Sequence, residues 1–170
     1  MSDRVLVAYA SKSGTTEEIA RAIGEVLTDR GHSVDVRRVE DITNPSNYDA
    51  VLVGSAVRFG RWLGPAARFV KKHRQALVGV PTAFFTVHAL ATEATDANRA
   101  KREAYLASIR KHVKPNREAF FGGQIDNARL GFAERVIAKV VKAPEQDLRD
   151  WPTIRAWAEQ VHQDLSVTPA

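Results

Sequence analysis

The stretch Ser11-Lys12-Ser13-Gly14-Thr15-Thr16 decides the fold, because it joins a strand pattern to a helix pattern. Before it, residues 5–10 form the apolar run VLVAYA, which is typical of a buried strand. After it, an apolar residue recurs at every fourth position, at Ile19, Ile23 and Leu27, which predicts a helix. The six residues therefore form a turn from a strand into the N-terminus of a helix. Doubly wound α/β domains bind phosphate groups at such a turn.

Hydroxyl side chains suit this turn to a phosphate group. Four of its six residues carry one, and the free N–H groups of a helix N-terminus would add further donors. Gly14 lets the backbone approach a ligand closely. The dinucleotide pattern GxGxxG is absent here and the triphosphate pattern GxxxxGK followed by Ser or Thr is absent throughout. The alternative is a plain helix cap, with Thr15 or Thr16 as N-cap and Glu18 supporting it.

The turn resembles the phosphate loop of flavodoxins, which bind flavin mononucleotide (FMN). Ser11, Ser13, Gly14 and Thr16 match the pattern Ser/Thr-x-Ser/Thr-Gly-x-Thr in place. The resemblance implies FMN as the cofactor. The residues expected around its phosphate are Ser11, Lys12, Ser13, Gly14, Thr15 and Thr16.

The rest of the chain continues the alternation of strands and helices. Further strands are predicted at residues 33–39, 50–56, 82–88 and 118–125. Further helices are predicted at residues 65–77, at 97–113 and from about residue 150. This alternation indicates a parallel sheet covered on both faces. We therefore predict a flavodoxin-like, doubly wound α/β fold with five parallel strands in the order 2-1-3-4-5, as a single domain spanning residues 1–170.

Two loops are expected to contact the flavin ring, because they follow the third and fourth strands at the crevice of such a sheet. Phe59 or Trp62 could stack on the isoalloxazine, and Arg58 could stabilise negative charge on the reduced ring. The alternative is that both aromatic residues pack against the following helix. His88 and Arg58 are the candidate catalytic residues, although a histidine at a strand end can equally be structural. The predicted contacts are Ser55, Ala56, Val57, Arg58, Phe59, Gly60 and Trp62 in the first loop, and Thr86, Val87, His88, Ala89 and Leu90 in the second.

Five segments of the chain resemble the menaquinone-dependent protoporphyrinogen oxidases. They are Tyr48-Asp49, GSAVRFG at 54–60, FVKKH at 69–73, PTAFF at 81–85 and Asp150-Trp151. The resemblance implies an FMN enzyme that oxidises protoporphyrinogen to protoporphyrin in haem synthesis and passes the electrons to a membrane quinone. A tetrapyrrole or a quinone is then the small-molecule partner. The alternatives are a flavodoxin-type electron carrier, an FMN or quinone reductase, and a binding module without flavin.

The absence of cysteine and the net charge limit the redox chemistry and the partners that we expect. The chain has no cysteine, which excludes disulfides, thiolate metal sites and thiol redox chemistry, so electron transfer requires a bound organic cofactor. The formal net charge of +5 favours an enzyme over a carrier flavodoxin, since carriers are typically acidic. The basic residues are scattered among acidic ones and no nucleic-acid-binding signature is found, so nucleic acid is not an expected partner. No metal site is expected, and the oligomeric state is left open.

The cellular location follows from the apolar segments. None reaches the roughly 20 residues that span a bilayer, and no signal peptide is recognised, so we expect a cytoplasmic protein. Residues 132–142 form a basic amphipathic helix pattern in which Phe132, Val136 and Val140 make one apolar row. This helix either packs on the sheet or docks on anionic lipid near the quinone pool. The second alternative would give peripheral contact with the inner face of the membrane.

Overall fold

A parallel sheet organises the computed structural model, which describes residues 3–89, 95–125 and 146–167. The strands of this sheet are β1 (Arg4–Ala10), β2 (Ser33–Arg38), β3 (Ala50–Arg58), β5 (Thr82–His88) and β6 (Arg117–Gly122). A two-residue strand, β4 (Arg61–Trp62), pairs antiparallel with the end of β3, and β7 (Gln124–Ile125) pairs antiparallel with β8 (Gln146–Asp147). The order of the parallel strands is β2-β1-β3-β5-β6. This confirms the predicted order 2-1-3-4-5, with the short β4 as an addition.

Helices cover both faces of the sheet. They are α1 (Thr15–Asp29), α2 (Gly64–Lys72), α3 (Arg74–Val78), α4 (Asp96–Arg110) and α5 (Trp151–Val167), with short 3-10 turns at Val39–Asp41 and Pro45–Asn47. Alternate residues of a strand face opposite sides, and β1 follows this rule. Val5 and Val7 pack in the core beneath α1 and α5, whereas Leu6 and Ala8 pack in the core beneath α2 and α4. The predicted doubly wound architecture is therefore confirmed.

Two predicted elements are each divided in the structure. The helix predicted at residues 65–77 is split at His73, whose φ of −105° and ψ of 19° depart from helical values and separate α2 from α3. The strand predicted at 118–125 stops pairing with β5 at Gly123. There the Gly123 N–H donates to the His88 carbonyl at 2.9 Å, and the Leu148 N–H donates to the Gly123 carbonyl at 2.9 Å. The continuation of β6 consequently pairs with a later part of the chain.

The packing of α1 against α5 joins the two ends of the described chain. Arg30, which follows α1, holds Glu159 of α5 with Nη2–Oε1 at 2.8 Å. Beside it, His32 Nε2 and His162 Nδ1 are hydrogen-bonded at 2.9 Å. Within the described ranges, no helix has the length and apolar character required to cross a membrane.

His32 makes folding stability depend on pH. Burial, and then the neighbouring His162, lower the pKa of His32 below its ordinary value of 6.5. Because the unfolded chain then binds protons more readily, the free energy of unfolding should be highest above about pH 6.5 and should fall as pH drops from there through the lower pKa of the folded state. Burial also lowers the pKa of His73, which adds a second contribution of the same sign.

Urea unfolding at about pH 8 and about pH 5.5 measures this dependence. His32→Gln should flatten this dependence in part. A parent protein that is equally stable at both pH values would contradict the prediction.

Candidate functional site

The expected site residues meet at one edge of the sheet because the parallel strands are in register there. Ala10 at the end of β1 lies opposite Ser55 of β3, and Ser55 lies opposite Thr86 of β5. His88, at the end of β5, lies opposite Gly122. The turn after β1, the loop after β3 and the residue after β5 therefore leave the sheet at the same edge. The structure thus brings the predicted loops together.

The turn after β1 is built around Gly14, the N-cap residue of α1. Gly14 has φ +91°, a left-handed conformation that glycine adopts without strain, and its N–H donates to Ser11 Oγ at 2.9 Å. Ser13 Oγ and Thr15 Oγ1 lie 3.4 Å apart in a further hydrogen bond. The N-cap carries no side-chain cap bond, and Thr15 and Thr16 are the first two residues of the helix. The plain-cap alternative, with one of these threonines as N-cap, is therefore wrong.

Thr16 supplies a test of whether the turn fits a phosphate. Thr16 is 0% exposed, and its Oγ1 has no hydrogen-bond partner among the described residues. Leaving a buried hydroxyl unsatisfied costs about 1–3 kcal/mol, so such a group indicates a missing acceptor or donor. The first N–H groups of α1 also lack partners within the helix. A dianionic phosphate would satisfy both, and the exposed Lys12 adds positive charge to the turn. The residues fit the phosphate of FMN.

The loop after β3 is a tight hairpin. Phe59 and Gly60 have φ values of +53° and +71°, and both central residues of a type I′ turn require positive φ. The turn places Val57 opposite Trp62 and Arg58 opposite Arg61. Phe59 is 74% exposed, and the Arg58 guanidinium carbon lies 5.2 Å from the centre of its ring. The hairpin tip thus presents an aromatic ring and positive charge to solvent at the edge of the sheet.

Three polar or aromatic side chains expected at the ring lie inside the core instead, those of Trp62, Ser55 and Thr86. Trp62 is 4% exposed, its ring packs edge-on against Phe84 at 5.2 Å, and its Nε1–H donates to Thr86 Oγ1 at 2.9 Å. The Ser55 hydroxyl donates to the Ala56 carbonyl at 2.8 Å and accepts from the Leu63 N–H at 3.0 Å. The side chains of Trp62, Thr86 and Ser55 therefore support the edge of the sheet from within, as the packing alternative for Trp62 requires.

The loop after β5 contributes mainly backbone to the edge. Val87 and His88 are buried, and Ala89 is half-buried. The His88 ring lies 5.9 Å from the ring of Tyr105 and 6.2 Å from that of Phe120, an aromatic environment that favours its structural interpretation. Leu90 lies outside the described residues, as do residues 132–142 with the predicted amphipathic helix.

Arg149 lies beside the start of α1, a position that sequence reasoning did not anticipate. It forms an ion pair with Glu18 in the first part of α1 and a second with Asp147, at 2.8 Å between Nη2 and Oδ2. Hydrogen bonding to Asp147, with Glu18 contributing less, raises the pKa of Arg149. The side chain is 10% exposed and its guanidinium carbon lies 5.1 Å from the centre of the Trp151 ring. The pair with Glu18 offsets a carboxylate that would otherwise repel an anion at this helix N-terminus.

The other acid in the first turn of α1 is paired as well. Glu17 Oε1 accepts from Arg21 Nη2 at 2.8 Å, and this bond lowers the pKa of Glu17. In the part of the chain that the structure describes, no group of three or more histidine, aspartate or glutamate side chains is placed to hold a metal ion.

Comparisons with known proteins agree with this geometry. The sequence profile of the family described as Flavodoxin domain matches residues 6–150. The protoporphyrinogen IX dehydrogenase (quinone) of Escherichia coli strain K12 is 27% identical over 171 residues, which cover 93% of this chain and 94% of that protein.

Solved structures show the same fold at low sequence identity. The flavodoxin of Streptococcus pneumoniae TIGR4 matches with a TM-score of 0.60 and 16% identity, covering 95% of this chain and 99% of that one. A flavoprotein of Lactobacillus acidophilus NCFM, solved in complex with FMN, matches with a TM-score of 0.52 and 16% identity, covering 70% of this chain and 93% of that one.

Proposed function

The chain belongs to the flavodoxin domain family, and from this premise we propose that it is an FMN-dependent oxidoreductase. The observation that carries the proposal is the turn from β1 into α1. It joins a left-handed Gly14, a buried Thr16 hydroxyl that has no partner within the described residues, and the open N-terminus of α1. These groups provide what a phosphate monoester requires.

Different residues at the sheet edge would contact the phosphate and the ring of the cofactor. Ser11, Lys12, Ser13, Thr15 and Thr16 would bind the phosphate through hydroxyl and N–H groups. The backbone and exposed side chains of Val57, Arg58, Phe59 and Gly60 would lie against one side of the ring, and the backbone of residues 86–89 would lie against the other. FMN supplies, when bound, redox chemistry that the side chains of a cysteine-free chain do not offer. The chain itself would bind and orient the cofactor and exclude water from it.

We further propose protoporphyrinogen IX as the reductant and a quinone as the acceptor. The tetrapyrrole loses six electrons and six protons in becoming protoporphyrin, and three quinones take them up, two of each per quinone, to form three quinols. The support is the similarity over 93% of the chain to an E. coli protein named for this reaction, together with the net charge of +5, which suits an anionic substrate.

Two measurements test the proposal in sequence. The visible spectrum of the protein, purified and reconstituted with FMN, should show the bands of bound oxidised flavin, and absence of binding would remove the flavin function. An anaerobic assay with protoporphyrinogen IX and a soluble quinone should then show porphyrin fluorescence growing with time. A flavoprotein that reduces partner proteins but leaves the tetrapyrrole unchanged would instead be an electron carrier.

Peripheral membrane contact is a separate proposal, based on the basic amphipathic pattern of residues 132–142. Co-sedimentation with anionic and with neutral liposomes tests it. Binding to neither type of vesicle would remove the proposal.

Replacing Phe59 with alanine should change the flavin spectrum without unfolding the protein. The ring is 74% exposed, so its removal costs little burial, whereas stacking on the isoalloxazine would perturb the absorption and fluorescence of the flavin. Val78→Ala is a matched control, since Val78 is also an exposed apolar residue, 69% exposed in α3. A Phe59→Ala spectrum that coincides with that of the control would show that Phe59 does not contact the ring.

A further inference from the structure

Two arginines share one face of the hairpin after β3. Arg58 and Arg61 are directly opposite each other in the antiparallel register, next to the pair Val57 and Trp62. Adjacent pairs of a hairpin face opposite sides, and Trp62 is buried. The arginine pair therefore lies on the outer side, where Arg61 is exposed. Directly opposed residues have Cβ atoms about 4.5–5.5 Å apart, so the two guanidinium groups can reach the same ligand.

The tip of this hairpin holds an aromatic residue in an unfavourable backbone conformation. Among the described residues, Phe59 is the only residue other than glycine with positive φ. Asn, Asp or Gly is usual at such a turn position, and bulky residues are strained there. Strain of this kind is retained mainly at functional sites. The ring is also largely exposed, which folding alone does not favour.

We propose that Arg61, with Arg58 opposite it, binds a carboxylate of an anionic tetrapyrrole at the tip of this hairpin, where a pyrrole ring contacts the edge of Phe59. A guanidinium group matches a carboxylate with two parallel hydrogen bonds, and the edge of an aromatic ring packs favourably against the face of a pyrrole. The inference rests on the proposed function, since protoporphyrinogen IX carries carboxylates at the rim of a macrocycle. A quinone offers neutral carbonyl oxygens and no carboxylate, so the arginine pair should favour the reductant over the acceptor.

Equilibrium binding tests this inference without turnover. Protoporphyrin IX and its dimethyl ester share the macrocycle and differ in charge, and their fluorescence reports binding to the FMN-loaded protein. Arg61→Gln should raise the Kd of the diacid about fivefold to tenfold and change that of the ester less than about twofold. Arg61→Lys, which keeps the charge but loses the planar fork, should fall between the parent protein and Arg61→Gln. Arg155→Gln is the control, because it removes the same charge from an exposed position on α5.

Ionic strength gives a second measure of the same contact. Raising it from about 0.05 M to about 0.3 M should weaken diacid binding to the parent protein more than ester binding. Arg61→Gln should lose part of this difference.

The outcomes separate this inference from the proposed reaction. Equal affinities of the parent protein for diacid and ester, or equal effects of Arg61→Gln and Arg155→Gln, would overturn the carboxylate contact even if protoporphyrinogen is oxidised. Selective loss of diacid binding in Arg61→Gln supports the contact, even in a protein that fails to oxidise the tetrapyrrole. Thermal unfolding of each variant shows whether a loss of binding reflects a loss of fold.

Discussion

Replacing Thr16 with valine should weaken FMN binding by about tenfold or more while leaving the apo-protein at least as stable as the parent. A hydrogen bond to a charged acceptor typically contributes about 1.5–3 kcal/mol, and 1.4 kcal/mol corresponds to a tenfold change in affinity. Valine has the shape of threonine and removes a buried hydroxyl that lacks a partner within the described chain, so the apo-protein loses no hydrogen bond. The substitution should therefore weaken FMN binding without lowering the stability of the apo-protein.

Fluorescence titration of FMN and thermal unfolding of the apo-protein measure these effects. Thr28→Val is the matched control in the same helix, because Thr28 Oγ1 donates to the Gly24 carbonyl at 2.8 Å near the other end of α1. The control should cost some stability and leave FMN affinity unchanged. A Thr16→Val protein with parental affinity would refute the assignment of the phosphate turn.

Replacing Gly54 with alanine should destabilise the protein by about 3 kcal/mol. A Cβ on Gly54 would lie 2.1 Å from Cε2 and Cζ of Phe85, whose ring crosses the strand at that point. Phe85 is fully buried and packs against Phe121 and Trp157, so its ring cannot move aside without disturbing the core beneath α5. For a protein of this length the loss corresponds to a fall in Tm of about 6–12 °C.

Thermal unfolding followed by tryptophan fluorescence measures this change, since Trp157 is part of the disturbed cluster. Gly79→Ala is the control. Gly79 has φ −79°, and a Cβ there would meet only backbone oxygens at 3.6 and 3.7 Å, which is ordinary contact. The control should be neutral or more stable by about 0.4–1 kcal/mol. If both variants unfold at the same temperature, Phe85 does not cross Gly54 as described.

The sheet was predictable because each of its strands carries a strong local signal. The run of residues 82–88 coincides with β5 as observed, and the strand order follows from alternating strands and helices. The turn at Gly14 was predictable for the same reason, since its hydroxyls and glycine are adjacent in sequence.

The hairpin after β3 could not be predicted from local preference. A bulky residue such as Phe59 argues against positive φ, so nothing in the sequence indicated a type I′ turn there. Once the turn forms, the register places Trp62 opposite Val57, and the indole enters the core. The local sequence did not decide whether Trp62 stacks on the flavin or packs in the protein, because an aromatic residue suits both.

Arg149 was missed because its partner is distant along the chain. Its ion pair with Glu18 spans 131 positions, and a periodicity or motif within one segment carries no information about such a contact. The neighbouring pair Asp150-Trp151, which carries part of the family resemblance and begins the predicted terminal helix, is the local feature that lies next to it.

The contact between α1 and α5 also sets the order in which the protein can assemble during synthesis. Arg30 and Glu159 are 129 positions apart, so α1 leaves the ribosome long before its partner helix exists. Until then, the apolar residues of α1 that pack beneath α5 lack their cover, and contacts of such high sequence separation form slowly. Nascent chains therefore expose part of this surface until α5 has been synthesised, and α1 reaches its final packing late in translation.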